Sequence, residues 1–337
     1  MLKCADFFAD HGKLFNIFLH LTIDLDYAFN FSNHSFLLKP MNPPYLKKGD
    51  KVAITCPAKK LPHDITDAVK LLESWGLEVV LGKTINASFH QYAGTDELRA
   101  QDFQDFLDDY SIKAVFAARG GYGTIRIIDK LNFSLFLKFP KWIIGFSDIT
   151  VLHSHIYSNY QIQSIHGQMP LNVPDGTKPS LESLRKSLFN ETVDYTFESS
   201  INAICGESRG ILIGGNLTIL VMLAGSVSDM IYEGKILFIE DVGEYLYSLD
   251  RMMWNLNRSG KLASLKGLIV GGFSNMKDND IPFGKSAQEI IYEHVKNYDY
   301  PVCFNFPAGH ISDNNALILG KEVNLKVDSQ KVNLTYC

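Results

Sequence analysis

From Lys51 onward, short runs of consecutive apolar residues alternate with stretches in which apolar side chains recur every three or four positions. Lys51 to Cys56 is a run of the first kind and predicts a strand buried on both faces. In the stretch that follows, Ile65, Ala68, Val69, Leu72 and Trp75 fall on one helical face, with Asp64 placed to cap its start and Gly76 to end it. The same reading gives a strand at Glu78 to Leu81, a helix from Thr95 to Leu107, a strand at Ala114 to Ala118 and a short helix at Ile125 to Leu131. A further strand at Trp142 to Phe146 runs into a helix from Asp148. Strands and helices alternating at this spacing predict a parallel sheet with helices on both faces, whose ligands gather at the carboxyl ends of the strands.

The pattern weakens between Asn172 and Glu207. Pro174, Asp175, Gly176 and Pro179 interrupt it, a short helix follows around Leu181 to Leu188, and polar sequence follows that, so 191–208 is expected to be a linker. Beyond Gly210, strands are predicted at Ile211 to Ile213, Lys235 to Ile239, Leu268 to Val270 and Pro301 to Phe304. Helices are predicted near Leu217 to Leu223, Tyr247 to Asn257 and Ala287 to Val295. The last three β runs, Ala316 to Leu319, Val323 to Val327 and Val332 to Tyr336, are joined by tight turns and predict an antiparallel element. The fold class is therefore α/β: an N-terminal parallel-sheet domain of flavodoxin or Rossmann type over 41–190, and a C-terminal mixed α/β domain over 209–337. Residues 1–40 share none of this order and are expected to be a non-domain extension ahead of a natural start at Met41. Their removal should leave folding and activity intact.

Composition changes this picture little. A chain of 337 residues, 46% hydrophobic and 20% charged, has room for two domains and enough apolar surface for a core. Lys plus Arg number 32 against 37 Asp plus Glu, so there is no basic footprint for nucleic acid. Leu14 to Leu25 is broken by Asn16, His20, Thr22 and Asp24, which fits neither a secretory signal nor a membrane span. Cys4, Cys56, Cys205, Cys303 and Cys337 form an odd set without a Cys-x-x-Cys pair, as expected of a cytoplasmic protein with neither disulfides nor zinc. His153 and His155 lie on different faces of their helix, His-Glu-x-x-His is absent, and no metal or cofactor is expected.

Four segments could carry chemistry. Of the Gly-x-Ser triplets, only Gly145-Phe146-Ser147 lies between an apolar strand and a helix, the setting that exposes a nucleophilic hydroxyl beside helix N–H groups. Ser147 reads equally well as a plain turn residue with Asp148 as the helix cap. Arg119-Gly120-Gly121-Tyr122-Gly123-Thr124 is a second strand-turn-helix loop, able to present N–H groups to an oxyanion or phosphate. It resembles the Gly-Gly-Asp-Gly-Thr loops of NAD kinases, except that Tyr122 replaces the acid that does their chemistry. The strand Lys235 to Ile239 ends on Glu240 and Asp241, which point to opposite sides if the strand continues. His310, freed to turn by Gly309, suits general-base work or simply faces solvent.

Taken in order, these segments resemble the L,D-carboxypeptidase family of serine peptidases, which includes muramoyltetrapeptide carboxypeptidase and the microcin C self-immunity proteins. The likeness runs from Lys47 to Leu325. Its landmarks are Gly49-Asp50-Lys51-Val52-Ala53-Ile54, Ala93-Gly94-Thr95-Asp96, Ala118-Arg119-Gly120-Gly121-Tyr122-Gly123, Ile144-Gly145-Phe146-Ser147-Asp148-Ile149-Thr150, Gly214-Gly215-Asn216, Phe238-Ile239-Glu240-Asp241-Val242-Gly243-Glu244 and Gly309-His310. The resemblance implies a Ser147, Glu240, His310 triad and an oxyanion hole from the N–H of Asp148 and of Gly121. It also implies a murein tetrapeptide substrate cleaved at its terminal D-Ala, and a homodimer. Arg119, Tyr122 and Arg251 are the candidate substrate contacts, although either arginine could instead serve a structural ion pair. The microcin branch implies an alternative, an amidase acting on acyl-sulfamoyl nucleotides. Another class altogether would be a non-catalytic muropeptide-binding module or a phosphate-binding, kinase-like protein.

Overall fold

The computed structural model describes residues 42–337, so the expected extension at 1–40 lies outside the described residues. The first half of the chain runs β1 (Lys51–Thr55), α1 (Thr66–Ser74), β2 (Glu78–Leu81), α2 (Asp96–Asp108), β3 (Ile112–Ala117), α3 (Ser134–Lys138), β4 (Trp142–Gly145), α4 (Thr150–Tyr160), β5 (Ser164–His166) and α5 (Lys178–Leu188). The second half runs β6 (Tyr195–Glu198), β7 (Gly206–Asn216), α6 (Leu217–Met222), β8 (Lys235–Val242), α7 (Leu246–Arg258), β9 (Gly267–Ser274), α8 (Ala287–Val295), β10 (Val302–Cys303), β11 (Leu317–Leu319), β12 (Glu322–Val327) and β13 (Lys331–Tyr336). Thr95, Thr177 and Ser286 start α2, α5 and α8, each side chain accepting the backbone N–H three residues on.

Two sheets result. The first, in the order β11-β5-β4-β3-β1-β2, is parallel except at β11. The second, β10-β9-β8-β7-β12-β13-β6, is parallel over β10 to β7 and antiparallel over the rest. Period-two alternation explains why the central strands read as unbroken apolar runs. Val52, Ile54, Phe116, Trp142 and Ile144 fill the core on one face of the first sheet, while Ala53, Val115, Ala117 and Ile143 fill the other. In the second sheet Ile236, Phe238 and Ile269 face one core, and Leu237, Ile239, Leu268 and Val270 the opposite one.

The last β runs depart from expectation. Only β12 and β13 make the antiparallel hairpin; β11 instead pairs antiparallel with β5, completing the first sheet. Its alternation is the reason: Ile318 enters the core of the first sheet, and Leu317 and Leu319 enter that of the second. The segment read as a linker carries β6, hydrogen-bonded along β13. β7 begins well before its apolar part, because Gly206 to Arg209 pair with β12 on a half-exposed stretch where no apolar signal is needed. Trp254 lies half exposed on α7, edge-on to His294 with ring centres 4.9 Å apart. No helix among the described residues is long and apolar enough to cross a membrane.

Candidate active site

β4 delivers the chain to a sharp turn. After Gly145, Phe146 is extended and Ser147 adopts a left-handed backbone (φ 64°), opening the 3-10 turn Ser147–Ile149 that leads into α4. A serine in that region costs about 1 kcal/mol, so the surroundings must hold it. One holder is His153 on α4: its ring contacts the Gly145 carbonyl through Nε2 (2.9 Å) and Ser164 Oγ through Nδ1 (2.8 Å). Burial pushes the His153 pKa down to about 3, leaving a neutral ring whose Nε2–H donates to that carbonyl. Spacing gave no hint of this role, because only the folded strand-helix contact brings His153 back to Gly145.

The glycine loop comes against the same turn. Gly120 abuts Ser147: a Cβ added there would stand 3.0 Å from the serine Cβ, 3.3 Å from Oγ and 3.4 Å from the Asp148 backbone N. A Cβ added at Gly121, whose backbone is left-handed (φ 110°), would meet the Lys59 side chain. Asp148 does more than follow the serine in sequence. Its Oδ2 accepts the Thr124 N–H at 2.8 Å, tying the end of the glycine loop to the turn. Burial raises the Asp148 pKa, opposed by the hydrogen bonds from Thr124 and by the charge of Arg99. Arg99, fully buried, donates to the carbonyls of Gly123 (3.0 Å) and Pro57 and pairs with Asp96, so it braces the loop from behind.

β8 and the loop between β10 and β11 bring the other groups. β8 continues through both carboxylates, with a register shift against β9 between Ile239 and Asp241, and Glu240 and Asp241 reach different partners. Asp241 accepts from Asn216 Nδ2 and from the N–H and hydroxyl of Thr218, so it caps the start of α6 across the sheet, not the helix that follows its own strand. Burial and the charge of Glu240 push Asp241 up to about 6. Glu240 itself is fully buried; its Oε2 lies 2.6 Å from His310 Nδ1 and accepts the His310 backbone N–H at 3.2 Å. His310 Nε2 stands 3.0 Å from Ser147 Oγ. Thus three groups from two sheets, with Ser147 and His310 separated by 163 positions, form one hydrogen-bonded row. Burial lowers the His310 pKa, but the charge and hydrogen bond of Glu240 and the charge of Asp241 outweigh it, and the net shift is upward.

Two further contacts hold the histidine. Ser274, at the end of β9, donates its hydroxyl to the His310 carbonyl (2.8 Å), and the Phe146 ring meets the imidazole edge-on at 4.9 Å between centres. Sequence reading passed over Ser274 because loop composition follows it. None of the candidate substrate contacts is hydrogen-bonded to this row. Arg119 donates to the Lys60 carbonyl at 2.7 Å, Arg251 stacks on Tyr247 at 5.5 Å, and Tyr122 is exposed against Tyr92. Among the described residues neither Arg119 nor Arg251 is in an ion pair. A nucleophile, a base that can take its proton, and a buried acid behind the base are the parts required for acyl transfer.

The chain matches two family models, the LD-carboxypeptidase N-terminal domain over residues 52–167 and the LD-carboxypeptidase C-terminal domain over residues 209–325. It is 34% identical to the "Probable murein peptide carboxypeptidase" of Bacillus subtilis, over 82% of this chain and 89% of that one. It is 32% identical to the murein tetrapeptide carboxypeptidase of Pseudomonas aeruginosa, over 82% of this chain and 93% of that one. Among solved structures, muramoyltetrapeptide carboxypeptidase from Oxalobacter formigenes superposes with a TM-score of 0.77 at 28% identity, covering 85% of this chain and 98% of the other.

Proposed function

The chain belongs to the LD-carboxypeptidase family, and we propose that it is a serine carboxypeptidase that releases the terminal D-Ala of a murein tetrapeptide. The observation that carries the mechanism is the row Ser147 Oγ, His310, Glu240, with contacts of 3.0 and 2.6 Å. In this reading Ser147 attacks the carbonyl of the diamino acid while His310 takes the Oγ proton. Glu240 holds Nδ1–H and stabilises the imidazolium that forms. The proton then passes to the amino group of departing D-Ala, and water, activated by the same histidine, frees the tripeptide from the acyl-enzyme.

The developing oxyanion would be met by the Asp148 N–H and by an N–H of the Gly120-Gly121 loop. A donor in such a hole contributes about 3 kcal/mol to the transition state. The packing of Gly120 on Ser147 supports that placement, and the Asp148 to Thr124 bond would keep the two donors in fixed relation. Arg119, Arg251 and Tyr122 remain proposed contacts for the peptide and its terminal carboxylate. The free cysteines, among them buried Cys56 and Cys303 with thiols pushed up to about 12 by burial, support a reducing cytoplasmic setting. The homodimer is an expectation of the family, to be tested by sedimentation.

The direct test is D-Ala release from a sugar-free tetrapeptide by the wild type and by Ser147→Ala. Release by the wild type and none by the variant is expected. No release by the wild type would overturn the proposed activity; release by the variant would overturn the residue assignment.

A further inference from the structure

The His310 turn rests on a residue that the mechanism does not use. Asn314 is fully buried, and its Oδ1 accepts the Gly309 N–H at 2.7 Å while lying 3.2 Å from His166 Nε2. Because the backbone N–H can only donate, the amide orientation is fixed, and His166 must offer its Nε2–H to the same oxygen. His166 is equally buried, and burial above all pushes its pKa down to about 4, so the ring is neutral. It is wedged edge-on against Phe238 (4.9 Å) and beside Phe146 (5.7 Å).

Gly309 is the hinge of this arrangement. It has a left-handed backbone (φ 112°), and a Cβ there would stand 2.8 Å from Glu240 Cβ and 3.0 Å from Oε2. Glu240 Oε2 takes both contacts from His310, whereas Oε1 is buried without a protein partner, as are Asn314 Nδ2 and His166 Nδ1. An unpaired buried donor and an unpaired buried acceptor thus flank the same glycine. Native interiors seldom tolerate such atoms, and each instance calls for an explanation.

We propose that Asn314, supported by His166, is a positioning residue: it fixes the Gly309 turn and thereby the alignment of His310 on a single oxygen of Glu240. The proposal rests on the Ser147, His310, Glu240 reading. His166 comes from the end of β5 and His310 from the loop beyond β10, so this one amide ties the first sheet to the base carried by the second. The charged and titratable groups around His310 are Glu240 and Asp241 from β8 and neutral His166 from β5. Glu240 and Asp241 raise its pKa, and looser pairing with Glu240 lets burial pull it down.

The test compares pH profiles of D-Ala release by wild type, Asn314→Ala, His166→Phe and Ser147→Ala. For Asn314→Ala, kcat should fall about 10- to 100-fold with KM within about twofold. The acid limb of kcat/KM should move to lower pH by on the order of half a unit, a change that simple destabilisation would not produce. His166→Phe keeps the packing against the two rings and should move the limb in the same direction by less; it decides the matter if Asn314→Ala does not fold. An unmoved limb in a folded variant whose release still depends on Ser147 overturns the positioning role alone. Retained release by Ser147→Ala overturns the reading and the proposal together.

Discussion

At the scale of single residues, the left-handed backbone of Ser147 is both a cost and a signal. If the strand-turn-helix geometry holds φ near 64°, glycine should suit the position better than alanine. Both Ser147→Gly and Ser147→Ala should abolish release, but the glycine variant should be the more stable by about 1 kcal/mol, a melting difference of about 2 to 4 °C. Equal stability would show that the turn is not strained. The raised His310 pKa sets a second expectation. As the base, His310 works only when neutral, so kcat/KM should fall as pH drops through a value above the usual 6.5. Stability runs the other way: a histidine whose folded pKa exceeds its unfolded one contributes stability below 6.5 that is lost as pH rises through the folded value. Glu240→Gln should cost about 10³- to 10⁴-fold in kcat and move the acid limb to lower pH; a limb left in place would mean that Glu240 does not set the His310 pKa. Ser147, Glu240 and His310 were each legible as candidates from their local sequence beside an equally good structural reading, and only the resemblance joined them into one triad. His153, Ser274 and Asn314 gave no signal, because each acts through a contact that exists only after the strands pair.

At the scale of elements, the glycine loop after β3 gives the sharpest test. Gly120 does not have a positive φ, so alanine is conformationally acceptable there, and the atoms nearest an added methyl are Ser147 Cβ and Oγ and the Asp148 N. Gly120→Ala should therefore fold normally yet lose about 100-fold in kcat through displacement of the serine and its neighbouring donor. Unchanged kcat would remove the loop from the proposed oxyanion site. Central strands were easy to read, since burial on both faces writes an apolar run into the sequence. Edges were harder: the polar half of β7 and all of β6 owe their pairing to partners distant in sequence. The segment 125–131, expected as one short helix, forms two 3-10 turns, Thr124–Arg126 and Ile128–Lys130, too brief for helical periodicity to distinguish.

For the molecule as a whole, β11 decides how independent the halves are. Ser147 stands at the end of a strand of the first sheet, Glu240 lies on a strand of the second, and His310 sits on the loop that leads from β10 to β11, so activity requires both sheets to be ordered together. A three-residue strand late in the chain joins them: Ile318 is 3% exposed in the core of the first sheet, and its neighbour Leu317 is fully buried in that of the second. Alternation along one strand thus makes two adjacent side chains report on two cores. Ile318→Ala and Leu317→Ala should each cost about 2 to 5 kcal/mol. If β11 couples the halves, each variant should lower a single transition in which secondary structure, tryptophan environment and D-Ala release are lost together. Separate domains predict the contrary: two transitions, with Ile318→Ala shifting one and Leu317→Ala the other. That outcome would reduce β11 to a local clasp and allow the first sheet to fold around Ser147 without the strand that completes it.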